Sequence, residues 1–402
     1  MKKIGIITLY SHSKNYGGNL QAYALVEVLR KLGQNAEQID YDMDDGVVVK
    51  TDDYKDKFRQ LVGKDCVFIV KKLYNAIKFR IKRLVKKIKF ATLYKRYCKE
   101  YEKGKIARDN EIEKFNREVP HSNKKYGIEN VIEAQDYDLY ITGSDQVWNM
   151  EWYRKAFFLD FVDGKEKLSY AASISMNELT DKERTVVSNH LKDYKAISVR
   201  EKNDLRLLSG IDCVTPQLTL DPTLLLSRED WDKITADRMI DQEYVFCYYL
   251  GVDKENRRLA KQFAKKHKLK LVTVPFINGL NCADCGFGDE RLYVGVEQFL
   301  SLIKYAKYVF TDSFHAVVFS NIYHRQYFVF NRSSKGEMNS RIYNVTELFE
   351  NPERFCDTKE KGSLQYIETL EPINYNRDFE KYDILKEQSI KFLLDNLGEP
   401  IK

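Results

Sequence analysis

Short apolar runs alternate along the chain with stretches in which apolar residues recur every three or four positions. The first run, residues 3–9, is too short for a helix and predicts a strand. A loop over Tyr10–Asn19 follows, then a helix over Leu20–Leu32 closed by Gly33, and a strand over Ala36–Tyr41. From residue 137 the alternation resumes. Strands are expected at Tyr137–Thr142, Leu168–Ile174 and Ala196–Val199, with helices at Asp181–Leu191 and near Asn203–Leu208. A second series follows Leu220-Asp221-Pro222-Thr223: strands Tyr244–Tyr249, Lys270–Val274, Tyr308–Phe310 and Gln326–Phe330, and helices Glu255–Lys266, Val296–Lys304 and Ala316–Ile322. Short apolar strands between helices imply parallel sheets covered on both faces.

The expected architecture is therefore α/β, with two Rossmann-like lobes and a cleft between them. Residues 1–222 form the first lobe and 223–380 the second. Residues 381–402 carry a closing helix with Ile384, Leu385, Ile390, Phe392, Leu393 and Leu394 as its apolar positions. Residues 53–120 read as a mostly helical basic insertion in the first lobe.

Charge makes that insertion distinctive. The chain of 402 residues carries +6, yet Lys71–Lys99 contains twelve Lys or Arg and no acid, leaving about −6 for the rest. Val70, Leu73, Tyr74, Ile77, Ile81, Leu84, Val85 and Ile88 recur at helical spacing between the cations. One reading is a helix packed on its own lobe with a solvated basic face. The other is contact with an anionic membrane surface or an anionic lipid-linked substrate. Nucleic acid is not expected, because no recognisable nucleic-acid module accompanies the basic segment. The seven cysteines are odd in number and scattered, which fits reduced thiols and a cytoplasmic protein. No apolar run approaches the ~18 residues of a membrane span, and the N-terminal apolar stretch reads as a strand, not a signal peptide.

Ligands of open parallel sheets bind beyond the carboxyl ends of strands. After the first strand stand Asn15, Tyr16, Gly17 and Gly18, where paired glycines admit close backbone approach and a helix start offers N–H groups to an anion. Tight-turn geometry is the alternative reason for such glycines. Gly143-Ser144-Asp145-Gln146-Val147-Trp148-Asn149 follows a later strand, with helix capping by Ser144 or Asp145 as the structural alternative. Arg200 emerges from the strand ending at Val199, suited to grip a carboxylate or phosphate, or to pair with Glu201. In the second lobe Asp312 or Ser313 would cap a helix, leaving His315 in its first turn, where a histidine would meet a phosphate. Cys282-Ala283-Asp284-Cys285 lacks a second ligand pair at zinc spacing, so no metal site is expected.

The set Asn15-Tyr16-Gly17, Leu20-Gln21-Ala22-Tyr23-Ala24-Leu25, Gly143–Asn149, Ser198-Val199-Arg200-Glu201, Leu220-Asp221-Pro222-Thr223, Phe310–His315 and Ser340-Arg341-Ile342 resembles the polysaccharide pyruvyltransferase family. The match runs in order from residue 4 to about 350. It implies a two-lobed fold like the glycosyltransferase-B class. It also implies transfer of the pyruvyl group of phosphoenolpyruvate onto a glycan or lipid-linked sugar as a ketal, with no cofactor beyond that donor.

Carried over by position, Asp145, Arg200 and His315 fall at active-site places, with Asn15, Tyr16, Gly17, Gly18, Ser144, Gln146, Ser313 and Arg341 around the substrates. Some members carry Arg two residues before this His, where Ser313 stands here. The donor's phosphate would then need another cation, Arg341 first and Arg332 second. Ala316 stands where Gly is frequent. The same two-lobed class includes nucleotide-sugar glycosyltransferases, and a non-catalytic glycan-binding protein is a further alternative. The family's pathways place the enzyme in the cytoplasm, peripheral at the inner membrane if the basic segment binds it.

Overall fold

The computed structural model describes residues 1–10, 13–42, 69–211, 215–332, 339–357 and 360–398; residues 69–92 and 339–340 are described as helical backbone only. In the first lobe β1 (Lys3–Ile7), α1 (Tyr16–Lys31), β2 (Asn35–Gln38), α2 (Ile69–Glu118), β3 (Leu139–Thr142), β4 (Glu166–Ser169), α3 (Asp181–Leu191), β5 (Ile197–Val199), α4 (Lys202–Leu208) and β6 (Pro216–Leu218) follow in order. The strands pair in parallel as β2-β1-β3-β4, and the parallel pair β5-β6 continues the layer through bridges from Leu168 to Ala196 and Ala172 to Val199. The strand order reverses between β1 and β3, and the loops carrying Gly17 and Asp145 leave the sheet at that reversal.

After α5 (Arg228–Asp232), the second lobe comprises β7 (Tyr244–Tyr248), α6 (Lys254–Lys266), β8 (Lys270–Val274), β9 (Glu290–Arg291), α7 (Val296–Lys304), β10 (Tyr308–Thr311), α8 (Phe314–Ile322), β11 (Gln326–Phe330), α9 (Asn339–Leu348), β12 (Phe355–Cys356) and α10 (Leu364–Thr369). Its parallel order β12-β11-β10-β7-β8-β9 is that of a Rossmann sheet, with the reversal between β7 and β10. Every residue of β3 and β7 is buried, as expected of strands covered on both faces. The expected two parallel-sheet lobes are the architecture observed. Residues 216–218, 290–291 and 355–356 add three strands too short to announce themselves by periodicity.

Helix α1 starts four residues earlier than its apolar pattern suggests. Asn15 is the N-cap and its side chain accepts from Gly17 N at 3.1 Å, so Tyr16–Asn19 belong to the first turn and not to a loop. Tyr16 then faces the other lobe: its ring stacks on Phe299 at 4.3 Å and its hydroxyl donates to Val294 O at 2.7 Å.

The insertion does not stay with the first lobe. Residues 53–68 lie outside the described residues, and so do the side chains of the basic stretch up to residue 92. From there α2 crosses both lobes. Glu100 accepts from Arg291 Nε and Nη2 at 2.7 and 2.6 Å, and Tyr101 packs edge-on against Tyr293. Gly104 lies so close to the second lobe that a Cβ there would stand 2.2 Å from the Tyr293 ring. Towards its end, Phe115 meets Tyr23, and Tyr10 donates its hydroxyl to Asn116 O in the first lobe. Helix α11 (Glu380–Leu397) likewise bridges: Tyr382 stacks on Phe349, while Ser389 Oγ accepts from Leu220 N at 2.8 Å and Phe392 meets Tyr170. Among the described residues no helix is long and apolar enough to cross a membrane.

Candidate active site

The carboxyl ends of β1, β3, β5 and β6 and the start of α8 converge between the lobes. Arg200, delivered by β5, is the hub, with its side chain only 2% exposed. Its Nη2 donates to Asp145 Oδ1 at 2.9 Å and its Nη1 to Asp221 Oδ2 at 2.6 Å, while Nε lies 3.8 Å from Glu201 Oε1. Burial alone would lower the Arg200 pKa, but Asp145, Asp221 and Glu201 raise it and keep the guanidinium charged. Its plane also covers the Phe314 ring at 5.1 Å.

Neither Ser144 nor Asp145 caps a helix. Asp145 sits at φ 70°, in the left-handed region that aspartate tolerates, which turns its carboxylate toward Arg200. Ser144 Oγ donates to Ala171 O at 2.9 Å and lies 3.3 Å from Asp221 Oδ2, its alternative acceptor, and its N–H is held by Gln21 Oε1. Gln146 is half-buried, and its carbonyl accepts from Trp152 Nε1 at 3.3 Å.

Asp221 is the residue the sequence reading quoted in a motif but gave no role. It caps the short turn Pro222–Leu224, with Oδ1 accepting from Thr223 N and Oγ1, which leaves Oδ2 for Arg200 and Ser144. His315 Nε2 comes within 3.6 Å of the same Oδ2, an ion-pair distance longer than a hydrogen bond. Burial would push the Asp221 carboxyl up; His315, Arg200 and Thr223 together hold it well below the usual carboxylate range. An aspartate followed by proline just past a strand was the available signal for it.

From the second lobe, Ser313 rather than Asp312 caps α8, accepting from Ala316 N at 3.5 Å and leaving His315 in the first turn. Across the cleft, the start of α1 meets it: a Cβ on Gly17 would stand 2.0 Å from His315 Nδ1, and one on Gly18 would stand 3.8 Å from Asp145 Oδ2. Asn15 and Tyr16 thus shape and seat this turn, while Gly17 and Gly18 border the cluster.

Asp312 serves elsewhere. Its carboxylate accepts from Leu250 N at 2.6 Å and Gly251 N at 2.8 Å, so a protein anion fills the second lobe's strand-order reversal between β7 and β10. Arg332 lies beside it at 4.0 Å.

Beyond Arg200 and Phe314 opens a cavity of about 390 Å³. Arg200, Asp221 and Arg341 are among its polar lining residues, and Leu224, Val345 and Leu385 among its apolar ones. Burial, with Arg332 and Arg200 nearby, lowers the Arg341 pKa to about 10. Arg200 and Arg341 thus both line this cavity. Among the described residues, no three His, Cys, Asp or Glu side chains group as metal ligands.

Solved structures with a similar course of chain include UDP-GlcNAc 2-epimerase from Methanocaldococcus jannaschii, at 11% identity and TM-score 0.49 over 97% of this chain and 99% of that one. A co-structure of S. aureus MnaA with UDP matches at 13% identity and TM-score 0.47 over 100% and 99%. ADP-heptose lps heptosyltransferase II of E. coli matches at 12% identity and TM-score 0.34 over 96% and 99%. No curated protein sequence matches significantly. The sequence profile of the polysaccharide pyruvyl transferase family matches residues 15–334, a span that holds Gly17, Asp145, Arg200, Asp221 and His315, and the chain belongs to that family.

Proposed function

We propose that the protein transfers the pyruvyl group of phosphoenolpyruvate to a sugar as a ketal, with the reaction at Asp145, Asp221 and His315. The observation that carries this reading is that Arg200 and Arg341 both line the interlobe cavity together with Asp221. A small ligand with a carboxylate and a phosphate suits guanidinium groups at one cavity. In this reading Arg341 receives the donor and Arg200 orders the carboxylates of Asp145 and Asp221.

The chemistry follows from the neighbours. His315, whose Nε2 lies 3.6 Å from Asp221 Oδ2, is the general acid that gives a proton to the methylene carbon of phosphoenolpyruvate, leaving an oxocarbenium-like centre at C2. A sugar hydroxyl attacks C2 while Asp145 takes its proton. A second hydroxyl of the same sugar then displaces phosphate and closes the ketal; its proton leaves with the phosphate or through His315. Each turnover converts one donor and one diol into a ketal and inorganic phosphate.

A nucleotide-sugar donor is the competing reading. Against it stands Asp312: the N–H groups of Leu250 and Gly251, at the strand-order reversal where a nucleotide's phosphates would be received, are taken by a protein carboxylate. The acceptor is a surface glycan or its lipid-linked precursor, and the basic stretch Lys71–Lys99 draws the enzyme to an anionic inner-leaflet surface.

Incubation with phosphoenolpyruvate and glycan from cells lacking the gene tests the reaction. Acceptor-dependent phosphate release, with a pyruvate ketal increment in the glycan's mass, is expected. Turnover of nucleotide sugars with none of phosphoenolpyruvate would overturn the reading, as would glycan binding without phosphate release.

A further inference from the structure

A second cavity, of about 230 Å³, opens in the first lobe at the carboxyl ends of β1 and β2. Tyr10 and Lys14, past β1, and Asp40, past β2, line it together with Asn116 near the end of α2 and the segment that follows that helix. Its walls are tied to one another. Gln38 N donates to Pro120 O and Ser122 N to Gln38 O, both at 2.8 Å, Asp40 N donates to Ser122 Oγ at 3.0 Å, and Tyr10 donates its hydroxyl to Asn116 O. The segment after α2 thus lies along β2, with parallel bridges from Gln38 to His121 and from Tyr41 to Tyr126, and the cavity is preformed.

Among the described residues every side chain around this cavity is polar: Asp40 and Glu113 share it with Lys14, Arg117 and Lys125. Arg117 Nη2 and Glu113 Oε1 pair at 2.7 Å. His121 Nδ1 donates to Val119 O at 2.7 Å, so the neutral ring keeps Nε2 as an acceptor. Asn116 Oδ1 meets no donor among the described residues. An apolar ligand would strand these groups, and a multiply charged anion would meet two carboxylates. A sugar ring suits the mixture, because each of its hydroxyls both donates and accepts.

The cavity also adjoins the reaction site. Ser13, next to Lys14, and Asp145 approach the same glycine: a Cβ on Gly18 would stand 3.3 Å from Ser13 Oγ and 3.8 Å from Asp145 Oδ2. The loop that walls the cavity therefore borders the carboxylate that takes a sugar hydroxyl's proton in the proposed reaction.

We propose that this cavity is a subsite for the sugar residue adjoining the one that receives the pyruvyl group, so that the enzyme selects an oligosaccharide over a single sugar. The inference rests on the reading of Asp145 as the base. Asp40 accepts from hydroxyls of the adjoining sugar, and Lys14 and Lys125 donate to its oxygens.

The probes are mono-, di- and trisaccharides released by partial hydrolysis of glycan from cells lacking the gene, and their binding is measured by calorimetry without phosphoenolpyruvate. The wild type should bind the disaccharide at least ~tenfold tighter than the monosaccharide, as one or two hydrogen bonds to charged groups would give. Asp40→Asn, which keeps the shape and the backbone bonds, and His121→Ala should each lose most of that gain while melting like the wild type. Saturation-transfer NMR should mark both rings of the disaccharide in the wild type and one ring in the variants. Equal affinity for all three lengths, or variants that keep the gain, would overturn the proposal. Phosphate release from phosphoenolpyruvate is followed in parallel. Turnover with no dependence of affinity on length removes the subsite and keeps the reaction, whereas a length dependence lost in the variants, with no turnover, keeps the subsite and removes the reaction.

Discussion

Gly17 and His315 come from opposite lobes and touch, with the imidazole filling the space that any side chain at position 17 would need. Helix α1 and helix α8 thus meet by their first turns, and the contact helps leave His315 only 8% exposed. Asp221, beside His315, also lines the adjoining cavity, so the contact between the lobes and that cavity share this carboxylate.

Gly17→Ala tests that contact. A methyl group 2.0 Å from Nδ1 displaces the imidazole or holds the lobes apart. Because α1 is otherwise undisturbed and alanine is the better helix former, the melting temperature should change little. Turnover should fall by ~10² or more, read as acceptor-dependent phosphate release. Wild-type turnover would mean that the lobe contact plays no part in catalysis.

Asp221→Asn should cost both activity and acid sensitivity. Removing the charge deprives His315 and Arg200 of their shared anion, and turnover should drop by roughly 10². The stability argument has a definite sign. Because the Asp221 carboxyl is held below its unfolded value of ~3.9, its contribution is full above that pH and is lost as pH falls through the folded value. Urea midpoints measured from pH 7 to pH 3 should fall below about pH 4 in the wild type and fall less steeply in the variant.

Arg200→Lys keeps the charge but cannot span Asp145 and Asp221. One of the two charge-assisted bonds is lost in a buried place, at about 1.5–3 kcal/mol. Both the melting temperature and kcat should fall, with the KM for phosphoenolpyruvate changing less, because Arg341 remains. A variant altered in KM alone would make Arg200 the donor's receptor instead.

Much of the fold was legible because each strand is a short apolar run and each helix an amphipathic one: α3, β8, α7 and β11 occupy the spans their patterns predict. The start of α1 was not, since Asn15 caps it with a side-chain bond while the apolar period begins only at Leu20. Nor does the sequence alone reveal that α2 belongs to both lobes. Glu100 and Arg291 are 191 residues apart, and nothing local marks them as a pair. In the site, Asp145, Arg200 and His315 were visible at strand ends. Asp221 escaped because a capping aspartate before proline looks local, and only the fold brings Arg200 and His315 to its second oxygen.

The basic stretch of α2 predicts salt-sensitive attachment to anionic vesicles. Each Lys or Arg that reaches the surface contributes about 1 kcal/mol, screened over ~8 Å at physiological salt. Sedimentation with vesicles should be strong at low salt and weak at high salt. Charge reversal at Lys82, Arg83, Lys86 and Lys87 should weaken it while activity on a soluble acceptor persists. Protein that stays in the supernatant at low salt would leave these charges as a solvated face.

Arg341→Met tests the donor's receptor. Arg341 is a buried cation whose pKa is lowered to about 10 by burial and the nearby Arg332 and Arg200. A folded pKa below the unfolded one means that, at neutral pH, carrying this charge costs stability that is regained only as pH rises through about 10. The anionic groups of the donor offset that cost. Phosphoenolpyruvate should raise the melting temperature of the wild type and not of the variant, and the variant's KM for the donor should rise at least tenfold. A variant that binds phosphoenolpyruvate as the wild type does would move the phosphate receptor to Arg332.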